Sequence, residues 1–439
     1  MPDDLNICIR TAMQTLESAF IFRRLGLCFD YASDPADFPR RTLPTSREAH
    51  AGLPNAMGLG TGIAYTAWNN GLLLDGYLLR LELGLGGEAE ERILDRLIGG
   101  LIRLGTTAPR NYVVRGLTPD GRGFYRAVDV DSYLLWAFAL WRAYTTAAIA
   151  LESQAKMHNI AKRWIDRLWR DGFRIPLLEG EGENPDGDLS AADSVRGPKL
   201  LAILAVAGIV TREERWLALL AEKAAEDGGR RLSAGPPAEA TALLSRQIAF
   251  YILRHLNREE ALRPLIAERL LENGRLAVPF LDAFRHFAPA DTAGDLDWRA
   301  GGGPDWPRVV HERATVGASL AAGLTLLLSG ERDLIQAHAA QMEACIRAVP
   351  WRSLCLASAV APAISLHARG CELGLWDQDI LLRPAAGAEE SLAAKYLAED
   401  FDRCHPELAG HSGPAEQEEE DESQPPPSRP WRRRRRRRR

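Results

Sequence analysis

Between Asn6 and Gly370 the chain carries about twelve runs of helical period, and the connections between them alternate between long and short. Long connections fall at Asp30–Thr61, Thr106–Val130, Asp171–Ala191 and Asn273–Val309. Short ones fall at Gly84–Glu88, Thr145–Glu152, Gly208–Glu213, Asn257–Glu259 and Ser329–Asp333. Helical hairpins closed into a ring produce such an alternation, with tight turns on one rim and long loops on the other. Loops held by a rigid scaffold are where function concentrates, so the long-loop rim is the face to search.

Helical periodicity is the primary signal along the chain. The predicted runs are Leu5–Leu27, Gly62–Leu83, Glu88–Gly105, Asp131–Thr146, Glu152–Trp169, Ala191–Ile209, Arg212–Glu226, Ala238–Leu256, Arg258–Glu272, Val310–Leu328, Asp333–Ala348 and Ser353–Arg369. The strongest strand candidate, Asn111–Arg115, is too short for a major sheet, so the fold class is all-α. Runs two, four, six and ten are richer in Gly, Ala and Leu, whereas partners such as EAEERILDRLIGGLIRLG at Glu88–Gly105 alternate charge with apolar residues. A helix apolar on most faces is buried, and one with a single stripe lies outside. Even-numbered runs then form an inner layer and odd-numbered runs an outer one, and each long loop enters the N-terminus of an inner helix.

A hydrophobic content of 46% supports a sizeable core and excludes global disorder. The net charge of −5 conceals a split: Arg429 and Arg432–Arg439 bring nine positive charges, and Glu416, Glu418, Glu419, Glu420, Asp421 and Glu422 bring six negative ones, leaving the rest of the chain at −8. That balance does not favour a phosphate backbone as the main partner, so nucleic acid is expected only through Arg432–Arg439. Cys8, Cys28, Cys345, Cys355, Cys371 and Cys404 lack CxxC spacing, which argues against a zinc site and a disulfide framework. The start MPDDLNICIR has no apolar signal core, and no run reaches the ~18 apolar residues of a membrane span. A reduced, cytoplasmic protein is expected, with residues 1–383 as one helical domain, 384–410 as an appendage and 411–439 as a disordered acidic, proline-rich and arginine-rich tail.

Three segments, GLLLDGYLLRLELG from Gly71, RGLTPDGRGFYRAVDVDSY from Arg115 and FALWRAY ending at Tyr144, carry a resemblance. They resemble an uncharacterised bacterial group of (α/α)6-toroid proteins in the six-hairpin glycosidase superfamily, with its RG-x-x-PDG loop and D-x-Y motif. Asp193–Leu219 extends the likeness loosely, to about a third of the chain. The chain departs from the group at Val128 and Asp129, where small hydroxyl residues are usual, and at Arg80-Leu81-Glu82. The resemblance implies an (α/α)6 toroid of six helical hairpins. The superfamily holds unsaturated-uronyl hydrolases, other glycosidases and epimerases, and fold alone does not choose among them.

Asp129 and Asp131 enter the fourth run directly from a long loop, and the resemblance maps Asp131 and Tyr133 onto D-x-Y. Glycoside chemistry needs one carboxyl to give a proton and often a second as base or nucleophile. An Asp at a helix start also caps free amides. Asp193 and Arg196 stand at the mouth of the sixth run, where Ser190-Ala-Ala-Asp193 has the form of a capping box. Read functionally, Asp193 is a second acid and Arg196 a bidentate carboxylate clamp. Pro119-Asp120-Gly121 is a turn signature, with Arg115 and Tyr112 beside it as pocket candidates.

Asp75, mid-helix, either pairs with a cation such as Arg115 in a buried ion pair or is an active acid. Trp68, Asn69, Tyr65 and Tyr133 would supply stacking and amide bonds to a sugar, or else serve the core. The loop Asn273–Val309 carries Asp282, His286, Asp295, Asp297, Trp298 and Trp306, has Gly301-Gly302-Gly303 as a hinge candidate, and leads to His311 as an acid–base or binding candidate. The acidic stretch Glu179–Asp188 lacks EF-hand spacing, and no cofactor or metal is expected. The expected function is hydrolysis of a glycoside or unsaturated uronyl sugar, with a small carbohydrate as ligand. The alternatives are an isoprenoid-processing toroid and a non-catalytic binding scaffold.

Overall fold

The first run does not stay helical to Leu27. In the computed structural model, which describes residues 5–31, 43–146, 149–226, 229–233, 235, 239–288, 298–300 and 307–376, α1 (Leu5–Thr15) passes into a π-helical turn at Leu16–Phe20. The chain then turns back on itself as β1 (Ile21–Phe22) against β2 (Leu27–Cys28), antiparallel with Ile21 opposite Cys28. Gly26 makes this turn at φ +67°, pressed against the Arg96 carbonyl where a side chain would not fit. Asn70 then captures the ribbon, accepting from the Cys28 amide at 2.8 Å and donating to the Gly26 carbonyl at 2.9 Å. An apolar run of mixed period does not reveal such a break.

The rest of the described chain is helical: α2 (Ser46–His50), α3 (Thr66–Glu82), α4 (Glu88–Thr106), α5 (Val130–Thr145), α6 (Leu151–Arg170), α7 (Gly197–Thr211), α8 (Glu214–Glu226), α9 (Ala240–Leu256), α10 (Arg263–Ala277), α11 (Pro307–Glu312), α12 (Ala318–Ser329), α13 (Arg332–Ala348) and α14 (Ala357–Glu372). The protein is all-α, and Asn111–Arg115 forms no strand. Arg110 and Asn111 instead adopt left-handed backbone at φ 61° and 65°. Prolines shift two starts from those expected: Pro198 and Pro264 occupy the first turns of α7 and α10, where the missing N–H costs nothing. The described residues fall within one compact unit, Met1–Arg383. The appendage, the Arg432–Arg439 run, and Asp295, Asp297, Gly301–Gly303 and Trp306 lie outside the described residues.

Burial follows the alternation read from composition. Nearly every residue of α3, α5, α7, α12 and α14 is buried, and most of α9. The helices paired with them in sequence bury one stripe, as α4 does with Ile93, Leu94, Leu97, Ile98, Leu101 and Leu104. Among the buried helices α3 packs on α5, α5 on α7, α7 on α9, α9 on α12, α12 on α14, and α14 on α3. Close approach depends on small residues: a Cβ at Gly71 would stand 2.7 Å from the Leu135 carbonyl on α5, and one at Gly76 would stand 2.7 Å from the Ser365 amide on α14.

An ion network joins these helices inside. Asp75 on α3 accepts from Arg369 of α14 with both oxygens at 2.9 Å, from Arg142 of α5 at 2.9 Å, and from the Ser365 hydroxyl. Arg115, the partner expected from the sequence, is engaged elsewhere. Arg369 also donates to the Tyr251 hydroxyl of α9 at 3.1 Å, and Arg142 reaches Glu82 at 3.0 Å. Burial opposes charge on Asp75, but Arg369 and Arg142 outweigh it and hold the carboxyl below its ordinary 3.8.

Removing one member of such a network strands the others, so Asp75→Ala is expected to cost about 3–5 kcal/mol in urea unfolding. Because the folded-state pKa is depressed, the contribution is present above the ordinary value of 3.8 and is lost as pH falls through the folded value. The variant's unfolding free energy therefore approaches wild type in acid.

Candidate functional site

The N-terminal ends of the buried helices meet through polar side chains. Asp129 caps α5, accepting from the Ser132 amide at 2.6 Å, and its second oxygen holds Arg115 at 2.9 Å. Arg115 is 2% exposed, gives its Nε to the Ala64 carbonyl at 2.7 Å, and accepts the Ala67 amide on its own carbonyl. The long loop before α5 is thereby tied to the start of α3. The capping and functional readings of Asp129 coexist, with both oxygens engaged.

Two residues on, Asp131 lies in the first turn of α5 with its side chain 38% exposed. Lys199 of α7 comes within 2.5 Å of its Oδ1, and the Ser245 hydroxyl of α9 donates to the same oxygen. One carboxylate thus joins the mouths of three helices. Lys199 is the lone charge in GPKLLAILAVAG, where an unpaired ammonium would be costly, and that was the available signal for it. Nothing in the spacing marks Ser245.

Around Tyr65, at the start of α3, stands a second group that sequence reasoning missed in part. The Arg313 guanidinium carbon lies 5.0 Å from the Tyr65 ring centroid. Tyr65 also feels the charges of Asp30, Arg115 and Asp129. Asp30, fully buried, accepts the Ser358 amide at the start of α14 at 2.7 Å and lies 3.5 Å from the Asn69 amide nitrogen. Burial raises the Asp30 carboxyl, and Arg313, with Ser358 and Asn69, pulls it partly back. Arg313 lies in a π-helical turn, Arg313–Gly317, between α11 and α12, a distortion that recurs at functional sites.

Beside it, Glu312 is fully buried and accepts the Cys355 amide at 2.7 Å and the Cys355 thiol at 2.8 Å. Burial drives the Glu312 carboxyl up to about 7 against the pull of those two donors and Arg308. Burial likewise pushes the Cys355 thiol up, with Glu312 adding to the effect.

Several expected site residues serve elsewhere. Tyr133 is fully buried and its hydroxyl accepts the Val113 amide at 3.1 Å, so it anchors the loop before α5. Tyr112 is buried under Arg167, which donates to its hydroxyl at 3.3 Å. Trp68 is a core residue, and Asn69 faces Asp30 and the Cys28 carbonyl. His311 stacks on Phe287 at 5.6 Å between ring centroids and accepts the Ala288 amide at 3.1 Å, a satisfied structural histidine. The capping box at Ser190–Asp193 does not form, because α7 begins only at Gly197. Asp193 instead accepts the Val195 and Arg196 amides at 2.9 and 2.6 Å in the turn before it. Arg196, half-exposed, is within 3.8 Å of Asp193 and 3.9 Å of Asp188. Asp120 does build its turn: burial opposes its charge, but Ser46, Thr118 and the amides of Arg122 and Gly123 hold its carboxyl down to about 2.

Among the described residues no cluster of His, Cys, Asp or Glu is placed to hold a metal ion, and no helix is long and apolar enough to cross a membrane. Surface grooves between α4 and α6, at Ile102, Thr106 and Asn159, and beside α8, at Leu217 and Asn257, include none of these carboxylates. No protein-family model matches the chain, and no curated protein does. Among solved structures, the Lin0763 protein from Listeria innocua is similar over 85% of this chain and 98% of its own, at 12% identity and a TM-score of 0.44.

Glu312 yields a signed expectation. Its carboxyl titrates near 4.5 unfolded and about 7 folded, so the folded state holds the extra proton between those values. Stability should therefore fall as pH rises through that window, by at most about 1.4 kcal/mol per pH unit, and level off above it. Melting curves of wild type and Glu312→Gln between about pH 5 and about pH 8 test this: the slope should be present in the first and reduced in the second.

Proposed function

We propose that the protein is a carbohydrate-active enzyme of the glycoside hydrolase type, acting at the rim formed by the N-terminal ends of α3, α5, α7, α9 and α14. The cyclic order in which the six buried helices pack, α3 to α5 and round to α14, supports reading them as the inner layer of an (α/α)6 toroid. Asp131 carries the functional reading: a partly exposed carboxylate at that rim, held by Lys199 and Ser245 from two other helices.

An ammonium 2.5 Å from Oδ1 and a hydroxyl donating to the same oxygen hold the carboxylate in one orientation at the rim. Asp131 is assigned the role of the base that draws a proton from water, or of the nucleophile. Asp129 has both oxygens committed to the helix cap and Arg115. Asp193, with its side chain 47% exposed, is assigned the donor role; its Oδ1 accepts two amides, and among the described residues Arg196 lies 3.8 Å from its Oδ2. Charged side chains around the rim support a polyhydroxyl ligand over an isoprenoid one.

The test is turnover against a panel of aryl glycosides and unsaturated uronyl oligosaccharides, with folding followed by thermal melting. Asp131→Asn is expected to lower turnover by about 10²–10⁴-fold without loss of fold. Asp129→Asn keeps a capping side chain but takes the carboxylate from the buried Arg115, and is expected mainly to cost about 3 kcal/mol of stability. Undiminished turnover in Asp131→Asn, with stability lost instead, would make Asp131 the structural partner of Lys199 and overturn the assignment.

A further inference from the structure

The groove beside α8 and the groove between α4 and α6 treat charge differently. Beside α8 the lining includes Glu214, Arg258 and Glu259, and Arg258 pairs with Glu214 at 2.8 Å, so charge is matched within the groove. The groove between α4 and α6 holds roughly 450 Å³ and is lined by three cations, Lys156, Lys162 and Arg163, and by no carboxylate. Arg163 gives its Nε to the Asn159 carbonyl at 3.2 Å and forms no ion pair among the described residues. Lys156 and Lys162 pair with Glu152 and Glu213, which lie outside the lining. Both ammonium groups are more than half exposed, and pairs of that kind contribute little and exchange readily.

The surplus extends along the helix. α6 carries five cations and two carboxylates, in a chain that is negative overall. Lys156, Arg163 and Arg170 follow one another at seven-residue intervals, which places them on one face of α6 about 10 Å apart. On α4, Arg103 stands one turn before Thr106 of the lining. A row of cations on an outer helix is ordinarily a solvated face. Here it borders an apolar floor, the buried Ile160 and the half-buried Ile102.

We propose that the groove between α4 and α6 docks a short acidic segment of a partner protein, with carboxylates on Arg163, Lys156 and Lys162 and an aliphatic side chain on Ile102 and Ile160. Charge complementarity selects the carboxylates, and the floor selects the apolar anchor. Nucleic acid fits less well. No aromatic ring lines the groove, and the exposed Trp169 of α6 leans on Trp216 of α8 at 6.2 Å, so bases would find no stacking platform. The negative charge of the rest of the protein repels a polyanion longer than the groove. The inference is independent of the carbohydrate reading, since no rim carboxylate lines this groove.

The experiment combines the full chain, the peptide EELEELEE and a zero-length carbodiimide, which couples a carboxylate to a lysine amine only where the two touch. The chain has five lysines, Lys156, Lys162, Lys199, Lys223 and Lys395, and arginine does not react, so Arg432–Arg439 stays silent. Peptide adducts, mapped by mass spectrometry, are expected on Lys156 and Lys162 and not on Lys223 of α8. Arg163→Glu should lower their yield by about tenfold, and so should about 0.5 M salt. Arg163→Gln, a milder change, should give an intermediate yield, and Arg332→Glu, the same charge change on α13, should leave the yield as in wild type. The peptide EEGEEGEE, without the leucines, should couple several-fold less. Absence of adducts, equal yield at Lys223, equal coupling of EEGEEGEE, or a yield indifferent to Arg163→Glu would overturn the docking site. Full competition by an oligouridylate of equal charge would overturn the peptide assignment in favour of phosphate.

Discussion

Asp75 is a carboxylate with no access to water, and three buried helices are organised around its charge. Arg142 and Arg369 cannot leave it without becoming isolated cations in a low-dielectric interior, and it cannot leave them. Their attachment fixes α5 and α14 on either side of α3, and the Arg369–Tyr251 bond extends the tie to α9. Glycine contacts at Gly71 and Gly76 bring the same three helices into van der Waals contact. Ion pairing and backbone closeness therefore specify one mutual arrangement, and everything at the N-terminal ends inherits its geometry from there.

The two ends of the buried helices differ in how their polar groups are treated. Toward the C-terminal ends, Arg142 reaches Glu82, Arg254 donates to the Ser329 carbonyl and Trp376 donates to the His367 carbonyl, so charge and backbone are closed off within the protein. Toward the N-terminal ends, partly exposed Asp131 draws a buried lysine, and Asp129 holds the buried Arg115 at the mouth of α5. The partly exposed charge at this end, where the long loops enter, is the physical basis for proposing a ligand there.

The layering of the fold was legible because it depends on local composition. A run such as GPKLLAILAVAG can only be interior, and ESQAKMHNIAKRWIDRLW can only lie on a surface. The break at Gly26 was not legible, since it is stabilised by Asn70 from a different helix. Asp75 was legible as a residue needing a cation, but Arg142 and Arg369 lie far along the chain and no periodicity links them. Tyr133 was misplaced by its motif: it sits in an apolar stretch, SYLLWAFALW, whose composition pointed to the core. Asp30 lies in a loop, and Arg313 in a π-helical turn that breaks the helical period, so neither side chain could be oriented by periodicity. Lys199 had a signal, a single charge in an apolar helix, that went unread.

The account turns on one end of the helices being built for a ligand and the other for stability. Hydrogen–deuterium exchange of the full chain, with and without an aryl glycoside at saturating concentration, addresses that directly. Added protection is expected at the amides of Asn69 and Arg115, of Arg196 and Lys199 before and in α7, and of Ser358 in α14. The amides of Glu82, Thr146 and Gly330, at the other ends, should exchange unchanged. Protection confined to those latter amides, or no change anywhere, would contradict the account.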